Sequence, residues 1–162
     1  KSKFYANQSL NEIRYMIGSG NINFSDDFEK MVNEIAQTFE TNFGIKTNVY
    51  KKKKKIENLN KKAKTHLIRI LQESLSNISR HSNASQVEIK IIDGIDDFSF
   101  IICDNGQGFD VKEVEQKNKT DSVKHFGLGN IKKRVNIIGG TVDFINKGGL
   151  TIAIKIKDSV YR

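Results

Sequence analysis

Apolar residues Phe28, Val32, Ile35 and Phe39 recur at the spacing of a helix that buries one side. Ser25 is placed to cap it, Asp26 and Asp27 complement the dipole in its first turn, and Gly44 suits its end. Residues 4–17 carry a looser helical pattern, broken by "GSGNIN" at 18–23, and "IKTNVY" (45–50) alternates as a strand does. The strongest periodicity predicts a helix over 60–81, ended by the turn "SNAS" (82–85). "QVEIKII" (86–92) and "FSFIIC" (98–103) read as strands joined in a hairpin across "DGIDD". Residues 110–126 are polar and aperiodic. Leu128, Ile131, Val135 and Ile138 then mark a last helix, stopped by Gly139-Gly140. "TVDFIN" (141–146) and "LTIAIKIK" (150–157) form a final hairpin, with Ile152, Ile154 and Ile156 on one face. This order predicts a two-layer α/β sandwich: a mixed, mostly antiparallel sheet with helices packed on one face.

Composition narrows the class. The 162 residues suffice for one ordinary domain, and 37% hydrophobic content fits a soluble globular chain. No apolar run reaches the roughly eighteen residues of a membrane span. A single cysteine excludes an internal disulfide and any multi-cysteine metal site, and fits a cytoplasmic setting, whether or not a longer parent is membrane-anchored. That residue, Cys103, ends a strand and reads as core.

The net charge of +8 favours an anionic partner without choosing one. Lys51–Lys55 has only Tyr50 beside it, whereas nucleic-acid binding calls for basic residues interleaved with aromatics. The run reads as a solvated turn. Neither nucleic acid nor a membrane surface is an expected partner.

On the 60–81 helix, Leu67, Ile70, Leu71, Leu75 and Ile78 gather on one side. Glu73, Asn77 and Arg80 align opposite them, with His81 near the border. An amide oxygen is a hard neutral ligand of the kind Mg²⁺ accepts alongside water and phosphate oxygens. A guanidinium pairs with phosphate through its fork, and a carboxylate can take a proton or orient a nucleophile. The same residue types are also common on solvated helix faces, so this helix alone does not choose.

"DNGQG" (104–108) follows a strand, but the polar "FDVKEVEQKNKTDSVKH" after it lacks the alternation of a return strand. Gln107 stands where a calcium loop would need an acid. Gly106 and Gly108 let backbone approach a ligand closely, and Asp104 suits the exocyclic amine of adenine, where guanine would present an oxygen. Gly127 and Gly129 open a helix whose first N–H groups attract phosphate. Residues 110–126 between the two glycine segments read as a lid over a nucleotide.

Taken together, "RILQESLSNISRHSNAS" (69–85), "DNGQGF" (104–109) and "GLGNIKKRVNIIGGTVDF" (127–144) resemble the N box and the two glycine boxes of sensor histidine kinase ATP-binding domains. That superfamily is shared with gyrase, the heat-shock chaperone ATPases and the MutL proteins. The form of the boxes is most similar to the subfamily paired with LuxR/NarL-type response regulators. The resemblance implies the Bergerat fold over residues 25–158, with a left-handed βαβ unit. It also implies ATP and Mg²⁺ as cofactors. Mg²⁺ would sit on Asn77, phosphates on Arg80 and His81, and adenine on Asp104 beside Gly106 and Gly108. Gly127, Leu128 and Gly129 would lie at the phosphates, Thr151 would supply a supporting hydroxyl, and Glu73 would assist phosphoryl transfer.

The family's acceptor histidine is followed by Asp or Glu, whereas His66, His81 and His125 precede Leu, Ser and Phe. Residues 1–20 resemble the end of a dimerisation hairpin. The expectation is therefore a chain that binds ATP without phosphorylating itself. It would donate the γ-phosphoryl to a histidine on a dimerisation domain, homodimeric in the parent, for relay to a response regulator. The alternatives are an anti-sigma-factor-type protein-serine kinase of the same superfamily, and a degenerate module that binds nucleotide or a partner without transfer.

Overall fold

The structure, a computed structural model, describes residues 27–52, 59–108 and 126–157. Helix α1 (Phe28–Phe43) begins at Asp27, whose carboxylate accepts the Glu29 N–H at 2.9 Å. This corrects the expected cap: Asp27 stands outside the first turn because its own side chain satisfies a first-turn amide. Gly44 ends the helix at φ 67°, donating its N–H to the Glu40 carbonyl. The expected helix at 4–17, the dimerisation remnant 1–20, Ser25 and Asp26 lie outside the described residues. So do Lys53–Lys55, Phe109, His125 and all of the expected lid except residue 126.

Strand β1 (Lys46–Lys52) is followed by α2 (Lys61–Asn77), capped by Asn60, whose side chain accepts the Ala63 N–H at 2.8 Å. The helix expected to run to residue 81 leaves α-geometry at Asn77 and finishes in a π turn, Ile78–Ser82. Asn83, in the left-handed region at φ 50°, stops it. Strands β2 (Gln86–Asp93) and β3 (Asp97–Asp104) form the expected hairpin, closed by the Gly94 N–H on the Asp97 carbonyl at 2.8 Å. Helix α3 (Phe126–Ile137) and the hairpin of β4 (Thr141–Asn146) and β5 (Leu150–Lys157) complete the described chain.

The sheet order is β1-β2-β3-β5-β4. Among the described strands only β1 and β2 run parallel, with α2 in the crossover between them; the other three pairings are antiparallel. Every second residue of β2, β3 and β5 turns to one buried face, as Val87, Ile89 and Ile91 do on β2 and Ile152, Ile154 and Ile156 on β5. The core lies between this face and the helices. Phe28 of α1 meets Phe98 and Phe100 of β3 edge-on, with ring centroids 6.0 and 5.4 Å apart. Helix α2 packs against both α1 and α3, so its buried surface is wider than one stripe and takes in Ile68, Gln72, Ser74 and Ser76. Among the described residues, no helix is long and apolar enough to cross a membrane.

Candidate functional site

The polar residues singled out in the sequence converge at one end of the sheet. The carboxyl end of α2, its π turn, the end of β3, the start of α3 and the β4–β5 turn meet there. Glu73 and Asn77 sit half-exposed on successive turns of α2, and the π turn carries the exposed Arg80 and His81. Arg80 folds back along the helix. Its Nε donates to the Ser76 carbonyl at 3.2 Å, and its Nη2 reaches Ser76 Oγ at 2.9 Å and Asn77 Oδ1 at 3.4 Å.

Asp104 ends β3 on the helix-facing side and is only 3% exposed. Its Oδ1 accepts the Gly106 N–H at 2.8 Å, and the Leu150 amide also donates to the carboxyl. Burial pushes its pKa above the ordinary 3.8, and the amide bonds from Gly106 and Leu150 pull the other way. Among the described residues no cation pairs with it.

The segment after Asp104 is stitched down on both sides. Asn105 Oδ1 accepts the N–H groups of Ser85 and Gln86 at 2.9 and 3.0 Å, while its Nδ2 donates to Ser85 Oγ. Gln107 donates its backbone N–H to the Ser82 carbonyl and its Nε2 to the His81 carbonyl, both at 2.8 Å. Gly106 lies so close to the π turn that a Cβ would stand 2.1 Å from the Ser82 carbonyl oxygen. Gly108, at φ +65°, touches Asn146 of β4. Both edges of β3 are taken by β2 and β5, so "DNGQG" is not the turn of a hairpin built on β3.

Gly127 and Gly129 fall in the first turn of α3, where N–H groups have no helical partner. Gly127 abuts the Asn77 side chain, joining the polar end of α2 and the second glycine segment in space, whereas a Cβ on Gly129 would meet open space among the described residues. Leu128 turns its side chain into the core and is 7% exposed, so only its backbone can serve the site.

Thr151 is not brought to this face. It pairs with Cys103 across β3 and β5, and its hydroxyl donates to Cys103 Sγ at 3.1 Å on the sheet face away from the helices. Period-two alternation decides this: Leu150, one residue earlier, shares the face of Asp104. Cys103 is correspondingly half-buried rather than core.

Ser76 and Asn105 were not singled out in the sequence, and Gln107 and His66 were read there only as excluding a calcium loop and an acceptor histidine. Asn105 and Gln107 lie inside the first glycine segment, and their polar side chains in a tight turn were the available signal. His66 sits on α2 with its Nδ1 3.4 Å from Arg134 Nη1 of α3. Arginine only donates, so Nδ1 is the unprotonated acceptor there. Burial lowers the His66 pKa, assisted by the charges of Arg134 and Lys62.

Among the described residues no three His, Cys, Asp or Glu side chains cluster as a metal cage. A lone amide oxygen, Asn77 Oδ1, still fits Mg²⁺, which keeps waters and phosphate oxygens as its other ligands.

A five-stranded mixed sheet with helices on one face and a glycine-lined polar end defines an open, two-layer α/β sandwich. The profile of the histidine kinase-, DNA gyrase B-, and HSP90-like ATPases matches residues 62–160, and the chain belongs to this family. Membership implies ATP binding. The chain is 38% identical over 91 residues to the signal transduction histidine-protein kinase/phosphatase DegS of Bacillus subtilis (strain 168), a stretch covering 56% of this chain and 23% of that protein. It is 32% identical over 103 residues to the sensor histidine kinase LiaS of the same organism, covering 64% and 27%. The chain thus spans about a quarter of the length of these relatives. In fold it is similar to the Acinetobacter baumannii histidine kinase AdeS, at a TM-score of 0.62 and 14% identity over 92% of this chain and 75% of that one.

Proposed function

We propose that this chain is the ATP-binding catalytic domain of a sensor histidine kinase. Asp104 carries the proposal: it is a buried carboxylate held by two backbone amides at the glycine-lined end of the sheet, without a cationic partner among the described residues. Such a group is poised to accept from the exocyclic amine of adenine. Arg80, His81 and the first-turn amides of Gly127, Leu128 and Gly129 would hold phosphates, and Asn77 Oδ1 would hold Mg²⁺. When bound, that ion neutralises charge on the phosphate oxygens.

In the transfer itself, a histidine ring nitrogen of the dimerisation domain attacks the γ-phosphorus. A P–N bond forms as the bond to the bridging oxygen of ADP breaks, and Glu73 takes or orients the proton on that imidazole. The phosphoryl group would then pass to an aspartate of a response regulator of the LuxR/NarL type, the pairing that the form of the three sequence boxes resembles. The domain would work on the cytoplasmic side, where ATP is available.

Thermal unfolding with Mg-ATP, Mg-ADP and Mg-GTP tests the pocket. At a hundredfold excess over Kd, the adenine nucleotides should stabilise by about 2.7 kcal/mol and GTP should not. With a dimerisation domain supplied, labelled phosphate should become protein-bound in an acid-labile, alkali-stable form. Acid-stable label on a partner serine would favour the serine-kinase alternative, and adenine binding without transfer would favour the degenerate module.

A further inference from the structure

Two serines, two positions apart in the last turns of α2, are both buried, and they use their hydroxyls differently. Ser74 Oγ donates back to the Ile70 carbonyl at 2.8 Å, the ordinary way for a helical serine to satisfy itself. Ser76, 1% exposed, instead has its Oγ accepting from Arg80 Nη2 at 2.9 Å, while its carbonyl accepts from Arg80 Nε at 3.2 Å. Serine is a poorer helix former than alanine, and a buried hydroxyl needs a partner. A residue that serves only packing here would be alanine.

Two acceptors from one residue engage the Nε/Nη2 edge of the guanidinium and fix its plane. A carbonyl alone would engage one N–H of that edge and would not define its plane. The edge that Ser76 does not engage, Nη1/Nη2, is the planar fork that matches two phosphate oxygens. We propose that Ser76 is a positioning residue: it holds Arg80 so that the guanidinium meets the nucleotide phosphates already oriented, sparing the ordering cost of a long side chain on binding. The third contact, from Nη2 to Asn77 Oδ1 at 3.4 Å, is the longest, so Asn77 can turn to an ion while Ser76 keeps its hold.

The role of Ser76 rests on Arg80 meeting phosphate, as proposed above. The test compares Ser76→Ala, Ser76→Thr, Arg80→Ala and the double variant Ser76→Ala/Arg80→Ala in the full chain. Mg-ATP affinity is measured by calorimetry and adenosine affinity by NMR titration. Ser76→Ala should weaken Mg-ATP roughly five- to tenfold, the size of one charge-assisted contact, and leave adenosine unchanged. Ser76→Thr, which keeps both acceptors, should restore Mg-ATP binding to within about twofold of the parent. In the Arg80→Ala background the serine change should cost nothing further.

Equal losses for Mg-ATP and adenosine, or a Ser76→Ala loss that persists without Arg80, would overturn the inference. So would an Arg80→Ala variant that binds Mg-ATP as the parent does. Failure of the parent itself to bind Mg-ATP would instead refute the nucleotide reading, and the inference with it.

Discussion

Gly127 lies so tightly against Asn77 that a Cβ at position 127 would stand 2.2 Å from Asn77 Nδ2. The clashing atom is the end of a side chain, so the amide can swing away while the backbone stays. Gly127→Ala should therefore change stability by less than about 1 kcal/mol, the helical preference for alanine offsetting the crowding. Mg-ATP affinity should nevertheless fall roughly tenfold, about 1.4 kcal/mol, as Asn77 is turned. Gly106→Ala is the contrasting case, because its Cβ would meet the Ser82 backbone carbonyl at 2.1 Å. That variant should lose about 3 kcal/mol of stability, visible as a lowered Tm without nucleotide.

Burial raises the pKa of Asp104 above 3.8 in the folded chain. The folded state therefore holds this proton more tightly than the unfolded state does. The stability it contributes is present at low pH and is lost as pH rises from 3.8 through the raised value. Asp104→Asn removes that term. Denaturant unfolding of the two proteins should show the stability difference, parent minus variant, falling as pH is raised across this window. Adenine binding moves the opposite way: replacing an acceptor by a donor should cost about 1–3 kcal/mol and erode discrimination against GTP, measured by nucleotide titration at neutral pH.

His66 carries the reverse sign. Its pKa is lowered below 6.5 by burial and by Arg134 and Lys62, so folding favours the neutral ring. The associated stability is fully present above 6.5 and is lost as pH falls below that value toward the folded-state pKa. Tm followed from pH 7.5 to 5.5 should drop less steeply in His66→Gln than in the parent. Parallel curves for the two proteins would show that the α2–α3 contact at His66 contributes nothing to acid sensitivity.

Local physics was legible along the chain, and non-local physics was not. The stripe from Leu67 to Ile78, the stop at Gly44 and the alternation of Ile152, Ile154 and Ile156 each depend on residues within a turn or two, and all appear in the fold. Glu73 and Asn77 lie on α2 and Arg80 on the π turn that continues it, so their line could be drawn from spacing alone. The π turn depends on a hydrogen-bond stride one residue longer than that of the α-helix, which composition does not reveal. Thr151 illustrates register: a strand's facing flips with every residue, and its pairing with Cys103 is set by partners roughly fifty positions away. Ser76 was hidden because its acceptor role exists only once Arg80 folds back over it.

The last described strand, β5, enters the sheet between β3 and β4 instead of adding at an edge. Until it arrives, β3 has a bare flank and Asp104 lacks the amide of Leu150, the second donor that holds its carboxyl. Gly108 likewise has no Asn146 to rest against before the β4–β5 hairpin docks. The pocket is thus made from segments far apart in the chain, and its walls are complete only with the β4–β5 hairpin in place. Nucleotide acts as an inspector of finished molecules: it can keep a completed chain complete, but it has no grip on one still under construction.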